Sequence, residues 1–193
     1  MNDEMLDRLF IDARSQNGWR DEPVSDDKLR QAYDLARWGP TSMNTQPMRL
    51  VFLRSTEAKE RLKPALSPGN VAKVMSAPVV AIIAHDTHFF TELPRTFPHN
   101  PNAQAMFAGN PALSDTTAFR NGTLQGAYFM LALRAVGLDV GPMSGFDPAK
   151  VDAEFFANTT WRANFICAIG CGDRSKVLDR LPRLAFEEVT RTL

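Results

Sequence analysis

Residues 38–47 read Trp-Gly-Pro-Thr-Ser-Met-Asn-Thr-Gln-Pro and lie between an amphipathic helix and a short apolar strand. A connection of this kind needs only one or two turn residues. This one contains two prolines, a glycine and several small polar side chains. Such a loop offers backbone N–H groups and short hydrogen-bonding side chains to a flat, polar ligand. We therefore predict that residues 38–47 line a binding site.

The composition is that of one soluble globular domain spanning residues 1–193. Hydrophobic residues make up 44% of the chain, and 22 Lys and Arg balance 22 Asp and Glu. A net charge of zero gives no electrostatic case for binding nucleic acid or an anionic membrane. The acidic N-terminus, the short apolar runs and the two cysteines favour a cytoplasmic protein.

Apolar periodicity and capping residues predict an alternation of helices with a few buried strands. Helices are expected over residues 3–15, 26–38, 57–66, 71–76, 117–135 and 148–156, and strands over 49–53, 78–84 and 164–169. Residues 68–70 are expected to break the chain, and 141–145 to form a tight glycine-rich turn. Residues 86–115 have little periodicity, which predicts an irregular excursion that could serve as a lid.

Two groups of metal-ligating or redox residue types were weighed against structural roles. His85, His88 and His99 lie in the segment predicted to be irregular and lack an obvious fourth ligand, so we favour surface or lid histidines and predict no metal. Cys167 and Cys171 straddle the end of a predicted buried strand, so one of them is expected in the core and the other near a turn, with no redox role assigned.

No local motif supplies a nucleophile or a phosphate loop. Residues 170–176 follow a strand but lack the third glycine of a dinucleotide fingerprint, so a turn is predicted. The chain has no Gly-x-Ser-x-Gly elbow. We therefore assign no catalytic side chain.

Four separated motifs, taken in order, resemble the nitroreductase family of FMN-dependent oxidoreductases over nearly the whole chain. They are Arg14-Ser15 with Trp19, Pro23-Val24 and Pro-Thr-Ser-x-Asn-x-Gln-Pro at 40–47; Gly69-Asn70-x-x-Lys73; the run from Gly137 to Asp147; and Leu181-Pro-Arg-Leu-Ala-Phe-Glu-Glu-Val. The resemblance implies an α+β fold with a central, mainly antiparallel sheet flanked by helices. It also implies an intertwined homodimer whose subunits share each FMN site.

The resemblance assigns roles to fourteen positions. Arg14 and Ser15 would hold the FMN phosphate or ribityl chain, with Arg183 on the phosphate, and Asn17 stands where many relatives have a second arginine. Pro40, Thr41, Ser42 and Asn44 would line the flavin held mainly by the partner chain. Asn70 and Lys73 would face the pyrimidine edge and the ribityl hydroxyls. Pro142, Met143, Ser144 and Gly145 would run along the other ring edge, near N5.

Within the family, runs such as Asn17-Gly-Trp-Arg and Phe97-Pro-His most resemble malonic semialdehyde reductases of uracil catabolism, which form 3-hydroxypropionate. The implied reaction is a ping-pong hydride transfer, from NADPH or NADH to flavin N5 and then to a small carbonyl substrate. A substrate carboxylate would require an arginine, for which Arg95 and Arg120 are candidates. A nitro or quinone reductase, a flavin-binding protein without turnover, and an α+β domain without cofactor remain alternatives.

Overall fold

The computed structural model describes residues 3–193. Its helices are α1 (Asp3–Leu6), α2 (Asp26–Ala36), α3 (Thr56–Leu62), α4 (Pro68–Ser76), α5 (Leu93–Thr96), α6 (Ala103–Ala108), α7 (Pro111–Ala135), α8 (Pro148–Phe155) and α9 (Phe186–Val189). Its strands are β1 (Met48–Leu53), β2 (Val79–Asp86), β3 (Asp139–Met143) and β4 (Trp161–Gly170). A π-helical turn at Asp7–Ile11 continues α1, and 3-10 turns lie at Ser42–Asn44, Lys63–Ala65, Phe89–Glu92 and Arg174–Lys176.

The four strands form one antiparallel sheet in the order β1-β2-β4-β3. All eight residues of β2 are buried, because helices cover both faces of the sheet. Alternate residues of β2 point into two cores: Val79, Ala81 and Ile83 join the core formed with α2 and α7, whereas Val80 and Ile82 join the core formed with α3, α4 and α8. The predicted α+β architecture is confirmed.

Local signals place several helix ends where the sequence predicted them. The Ser25 side chain accepts a hydrogen bond from the Lys28 backbone N–H at the start of α2. Asp147 accepts from the N–H groups of Ala149 and Lys150, with Pro148 at the first position of α8. These are the capping arrangements that satisfy the free N–H groups of a first helical turn.

Two predicted loops are regular structure instead. Most of residues 141–145 belongs to β3, where Pro142 is tolerated because β3 is at the edge of the sheet. Residues 68–70 begin α4 rather than break the chain, since Pro68 occupies a first-turn position that needs no N–H donor.

Residues 86–115 and the N-terminal helix also differ from expectation. The excursion contains α5, α6 and the start of α7, which pack around a small core of Phe89, Leu93, Ala103, Phe107 and Ala118. His85, expected in an irregular segment, lies at the buried end of β2. The first helix ends at Ile11 rather than residue 15, and its apolar residues are largely exposed in the single chain.

The cysteines lie as predicted, with Cys167 buried and Cys171 half-buried, and both are free thiols. Within residues 3–193, no cluster of three or more His, Cys, Asp or Glu side chains is arranged to hold a metal ion. No helix in the same residues combines the length and apolar character needed to cross a membrane.

Candidate functional site

Residues 14–17 lie along the outer edge of β3. Ser15 forms a parallel bridge with Val140, and the Gln16 N–H donates to the Val140 carbonyl oxygen at 3.0 Å. Gly141 makes this approach possible, because a Cβ there would lie 2.6 Å from the Gln16 carbonyl oxygen. The strand edge therefore holds the three predicted residues of this segment, Arg14, Ser15 and Asn17, in one row.

Helix α4 brings Asn70 and Lys73 to the same edge. The Asn70 side-chain amide donates to the Gly145 carbonyl oxygen at 2.9 Å, and the Lys73 Cδ lies 3.3 Å from the Cβ position of Gly141. The indole N–H of Trp19 donates to the Lys73 carbonyl oxygen at 3.2 Å, which ties residues 14–19 to α4. Burial lowers the pKa of Lys73, because the ammonium group is partly removed from water.

The segment 142–145 completes this group with backbone rather than side-chain chemistry. Met143 is only 8% exposed and packs into the core under the sheet, whereas Ser144 is exposed and Pro142 half-buried. The Gly145 carbonyl oxygen accepts from both Asn70 and the Ser67 N–H. The main chain of this segment is thus fixed beside the predicted donors.

The C-terminal segment adds Arg180 to the group, and within the described residues no hydrogen bond ties Arg183 to it. Arg14 donates to the Leu178 carbonyl oxygen, and Arg180 donates to the carbonyl oxygens of Ile11 and Ala13. Arg183 donates only to the neighbouring carbonyls of Leu181 and Pro182 and is exposed. Two arginines three positions apart look alike in sequence, so only the folded tail shows that Arg180 is the neighbour of Arg14.

We name Arg14, Ser15, Asn70, Lys73 and Arg180 the donor group. Within residues 3–193, none of its three cationic side chains has a carboxylate within salt-bridge distance. Unpaired cations and amide donors suit a ligand with a phosphate and a rim of carbonyl and ring-nitrogen acceptors. FMN has both features, so the chemistry of the donor group fits this cofactor.

The buried side chain of Gln16 was not predicted as part of this region. Gln16 is 4% exposed, its Oε1 atom has no hydrogen-bond partner within the described chain, and it packs against Gly172. No sequence signal distinguishes it from the exposed Asn17 beside it, because the exposure of each is set by contact with residues far along the chain.

The loop containing Pro40, Thr41, Ser42 and Asn44 forms a second group at the opposite edge of the sheet. The Ser42 N–H donates to the Asn121 side-chain oxygen at 2.8 Å, and the Asn44 amide donates to the Thr96 carbonyl oxygen at 2.7 Å. Met43, Asn44 and Gln46 have positive φ angles, which gives the loop its compact path. We name residues 40–44 the polar loop.

The polar loop and the donor group do not meet within one chain. The loop leads into β1, whereas the donor group lies along the outer edge of β3, and these two strands are at opposite ends of the order β1-β2-β4-β3. Strands spaced about 4.8 Å apart put β1 and β3 about 14 Å apart. That distance exceeds the reach of a direct hydrogen bond, so the polar loop and the donor group are two separate groups within the described residues.

Comparisons with known proteins give a consistent assignment. The model of the Nitroreductase family matches residues 12–172. A candidate NADH dehydrogenase/NAD(P)H nitroreductase of Cupriavidus pinatubonensis is 57% identical over 187 residues, which is 96% of this chain and 95% of that protein. HadB of Ralstonia pickettii, which carries the same description, is 59% identical over 95% of this chain and 94% of its own length.

A solved nitroreductase-like structure from Exiguobacterium sibiricum, in complex with FMN, superposes with a TM-score of 0.85 at 18% identity. The match covers 98% of this chain and 97% of that one. This likeness agrees with the antiparallel sheet and its flanking helices. From the family match and the long, highly identical relatives, the chain belongs to the nitroreductase family.

Proposed function

We propose that this protein is an FMN-dependent oxidoreductase that uses NADPH or NADH to reduce malonic semialdehyde to 3-hydroxypropionate. The observation that carries the flavin assignment is the donor group, whose Arg14, Lys73 and Arg180 have no carboxylate partner within the described residues. The family assignment and the relatives described as NAD(P)H nitroreductases support the same chemistry.

Bound FMN supplies reversible two-electron, hydride-transfer chemistry at the site. The chain's own residues would bind and orient the cofactor: Arg14, Arg180 and Arg183 would attract the phosphate, and Ser15 and Asn70 would offer short polar contacts. Lys73 would hold the pyrimidine edge, where its positive charge would favour the reduced flavin. Because reductant and substrate use one cavity in turn, the reaction follows a ping-pong order.

The proposed assembly is a homodimer in which the polar loop of one chain completes the donor group of the other. Two further features support this arrangement. Every residue from 178 to 193 is exposed, so apolar side chains of the tail such as Leu181, Leu184 and Phe186, the last at 73%, lie uncovered in the single chain. The N-terminal segment also exposes Phe10 at 54% and Ile11 at 64%. Exposed apolar surfaces of this kind are typical of subunit interfaces.

A broad nitro or quinone reductase is the second candidate, and the descriptions of the close relatives favour it. The two candidates share cofactor, fold and reductant, and differ only in the acceptor. We propose malonic semialdehyde as the acceptor because separate runs of the sequence, such as Asn17-Gly-Trp-Arg and Phe97-Pro-His, resemble malonic semialdehyde reductases. The excursion over 86–115 is our proposed cover of the acceptor cavity, since its Thr96 is held by the polar loop.

The test is anaerobic reduction of purified protein reconstituted with FMN, followed by turnover with each acceptor. We expect a bound-flavin spectrum, NAD(P)H-dependent bleaching, and a higher kcat/KM for malonic semialdehyde than for nitroaromatics. Faster nitro reduction at low substrate would establish the second candidate instead. Failure to retain any flavin would refute the central proposal, and bleaching without turnover on any acceptor would identify a carrier. A monomer that binds FMN at full affinity would contradict the shared site.

A further inference from the structure

We propose that Arg120 is the specificity-determining residue that recognises the carboxylate of the substrate. This inference rests on the proposed function, because it assumes that the acceptor binds beside the polar loop. It selects the chemical class of acceptor: a short carbonyl compound with a carboxylate, in preference to a neutral carbonyl or nitro compound.

Arg120 lies beside the polar loop on α7. Its neighbour Asn121 is 3% exposed and accepts from the Ser42 N–H at 2.8 Å, while its amide donates to the Thr117 carbonyl oxygen at 2.9 Å. These bonds fix the loop against this turn of α7. Arg120 therefore has a fixed anchor point next to the wall that we assign to the flavin site.

A cleft lies between the polar loop and α7. The cleft encloses about 440 Å³. It is lined by Pro40, Thr41, Ser42, Thr117, Arg120, Asn121 and Leu124. Arg120 also lines the adjoining apolar cleft with Thr116, Phe119, Thr123, Leu124 and Ala127. In both linings Arg120 is the one charged residue, so its positive charge is not balanced by another lining group.

The guanidinium group of Arg120 is free to bind a ligand. Within residues 3–193 it has neither a carboxylate at salt-bridge distance nor a side-chain hydrogen bond. A guanidinium group presents a planar fork of donors that matches a carboxylate with two parallel hydrogen bonds. A small aldehyde acid would supply the complementary charge that the cleft lacks.

The alternative arginine, Arg95, is already engaged. Its guanidinium donates twice to the Glu92 carboxylate, at 2.8 and 3.1 Å, within α5 and the preceding turn. A substrate carboxylate would have to displace Glu92 to bind there. Arg95 is therefore the matched control: an exposed arginine, close in sequence to the same loop contact, whose charge is compensated.

The experiment compares Arg120→Gln, Arg120→Lys and Arg95→Gln with the wild-type FMN-loaded enzyme. The acceptors are malonic semialdehyde, propanal as its neutral three-carbon counterpart, and a neutral nitroaromatic. We expect Arg120→Gln to lower kcat/KM for malonic semialdehyde roughly 10- to 100-fold, mainly through KM, as the loss of a charge-assisted pair predicts. Its kcat/KM for propanal should fall less than threefold, Arg120→Lys should be intermediate, and Arg95→Gln should resemble the wild type.

The outcomes separate this inference from the proposed function. If the wild type turns over malonic semialdehyde well and Arg120→Gln keeps its KM, Arg120 does not bind the carboxylate and the proposed function stands. If the wild type reduces only neutral acceptors, the proposed function itself fails. Flavin absorbance and molar mass are measured for each variant, and loss of FMN or of the dimer in Arg120→Lys and Arg120→Gln alike would show a structural role and overturn the inference.

Discussion

Gly141 provides the space in which residues 14–17 approach β3, so Gly141→Ala should disturb the base of the donor group. Its Cβ would lie 2.6 Å from the Gln16 carbonyl oxygen, whereas ordinary contacts begin at 3.4 Å. The two segments must therefore separate by about 0.8 Å, the difference between those distances. Along the 3.0 Å bond from Gln16 to Val140, that shift breaks the hydrogen bond.

The expected loss of stability is the sum of two contributions, one from the broken hydrogen bond and one from the overpacked contact. A broken hydrogen bond costs about 1 kcal/mol, and an overpacked contact costs about 1–3 kcal/mol. We therefore expect the free energy of unfolding to fall by about 2–4 kcal/mol, which lowers Tm by about 5–15 °C for a chain of this size. The affinity for FMN should fall roughly tenfold, because Ser15 moves with the displaced segment and the new Cβ also presses on the Lys73 side chain, whose Cδ lies 3.3 Å away.

The assay is thermal unfolding with and without FMN, together with flavin titration by fluorescence. Gly69→Ala is the matched control, since no atom lies within 4 Å of the added Cβ at the start of α4. That variant should keep the wild-type Tm and FMN affinity. If Gly141→Ala also keeps both, then the 14–17 segment is not held by close packing on β3, and our account of the donor group is wrong.

Three further predictions concern single buried or half-buried groups. Lys73→Met should leave the stability of the cofactor-free protein unchanged or slightly higher, because burial lowers the pKa of Lys73 and disfavours its charged form. The same substitution should weaken FMN binding roughly tenfold in a titration. Asn121→Ala removes a side-chain amide that is 3% exposed and accepts from the Ser42 N–H, and it should cost about 1–3 kcal/mol in urea unfolding. An equal loss from the exposed Thr116→Ala would contradict this reason. Burial also lowers the pKa of His85 below 6.5, so the native state takes up fewer protons than the unfolded chain and loses stability as pH falls below 6.5. His85→Gln should be less destabilised than the wild type between pH 7 and pH 5, and parallel pH profiles of unfolding would refute this.

Local sequence signals were sufficient for much of the fold because they act within a few residues. Ser25 and Asp147 cap their helices through N–H groups two or three positions away, and the unbroken apolar run over 79–84 predicts a strand buried on both faces. The same locality misassigned residues 141–145. Gly and Pro there favour a turn, but pairing with β4 and contact with residues 14–17 make it an edge strand.

The helix caps, the buried strands, the family motifs and the polar character of residues 38–47 can all be read from the amino-acid sequence. Folding brought Arg180 to the Ala13 carbonyl next to Arg14 and paired Arg95 with Glu92 while leaving Arg120 without a carboxylate partner. It also put the polar loop and the donor group beside the two edge strands, β1 and β3. The physical reason is the separation along the chain of the groups that interact. Capping and periodicity depend on neighbours along the chain, whereas burial, charge pairing and sheet order depend on groups that only the folded chain brings into contact.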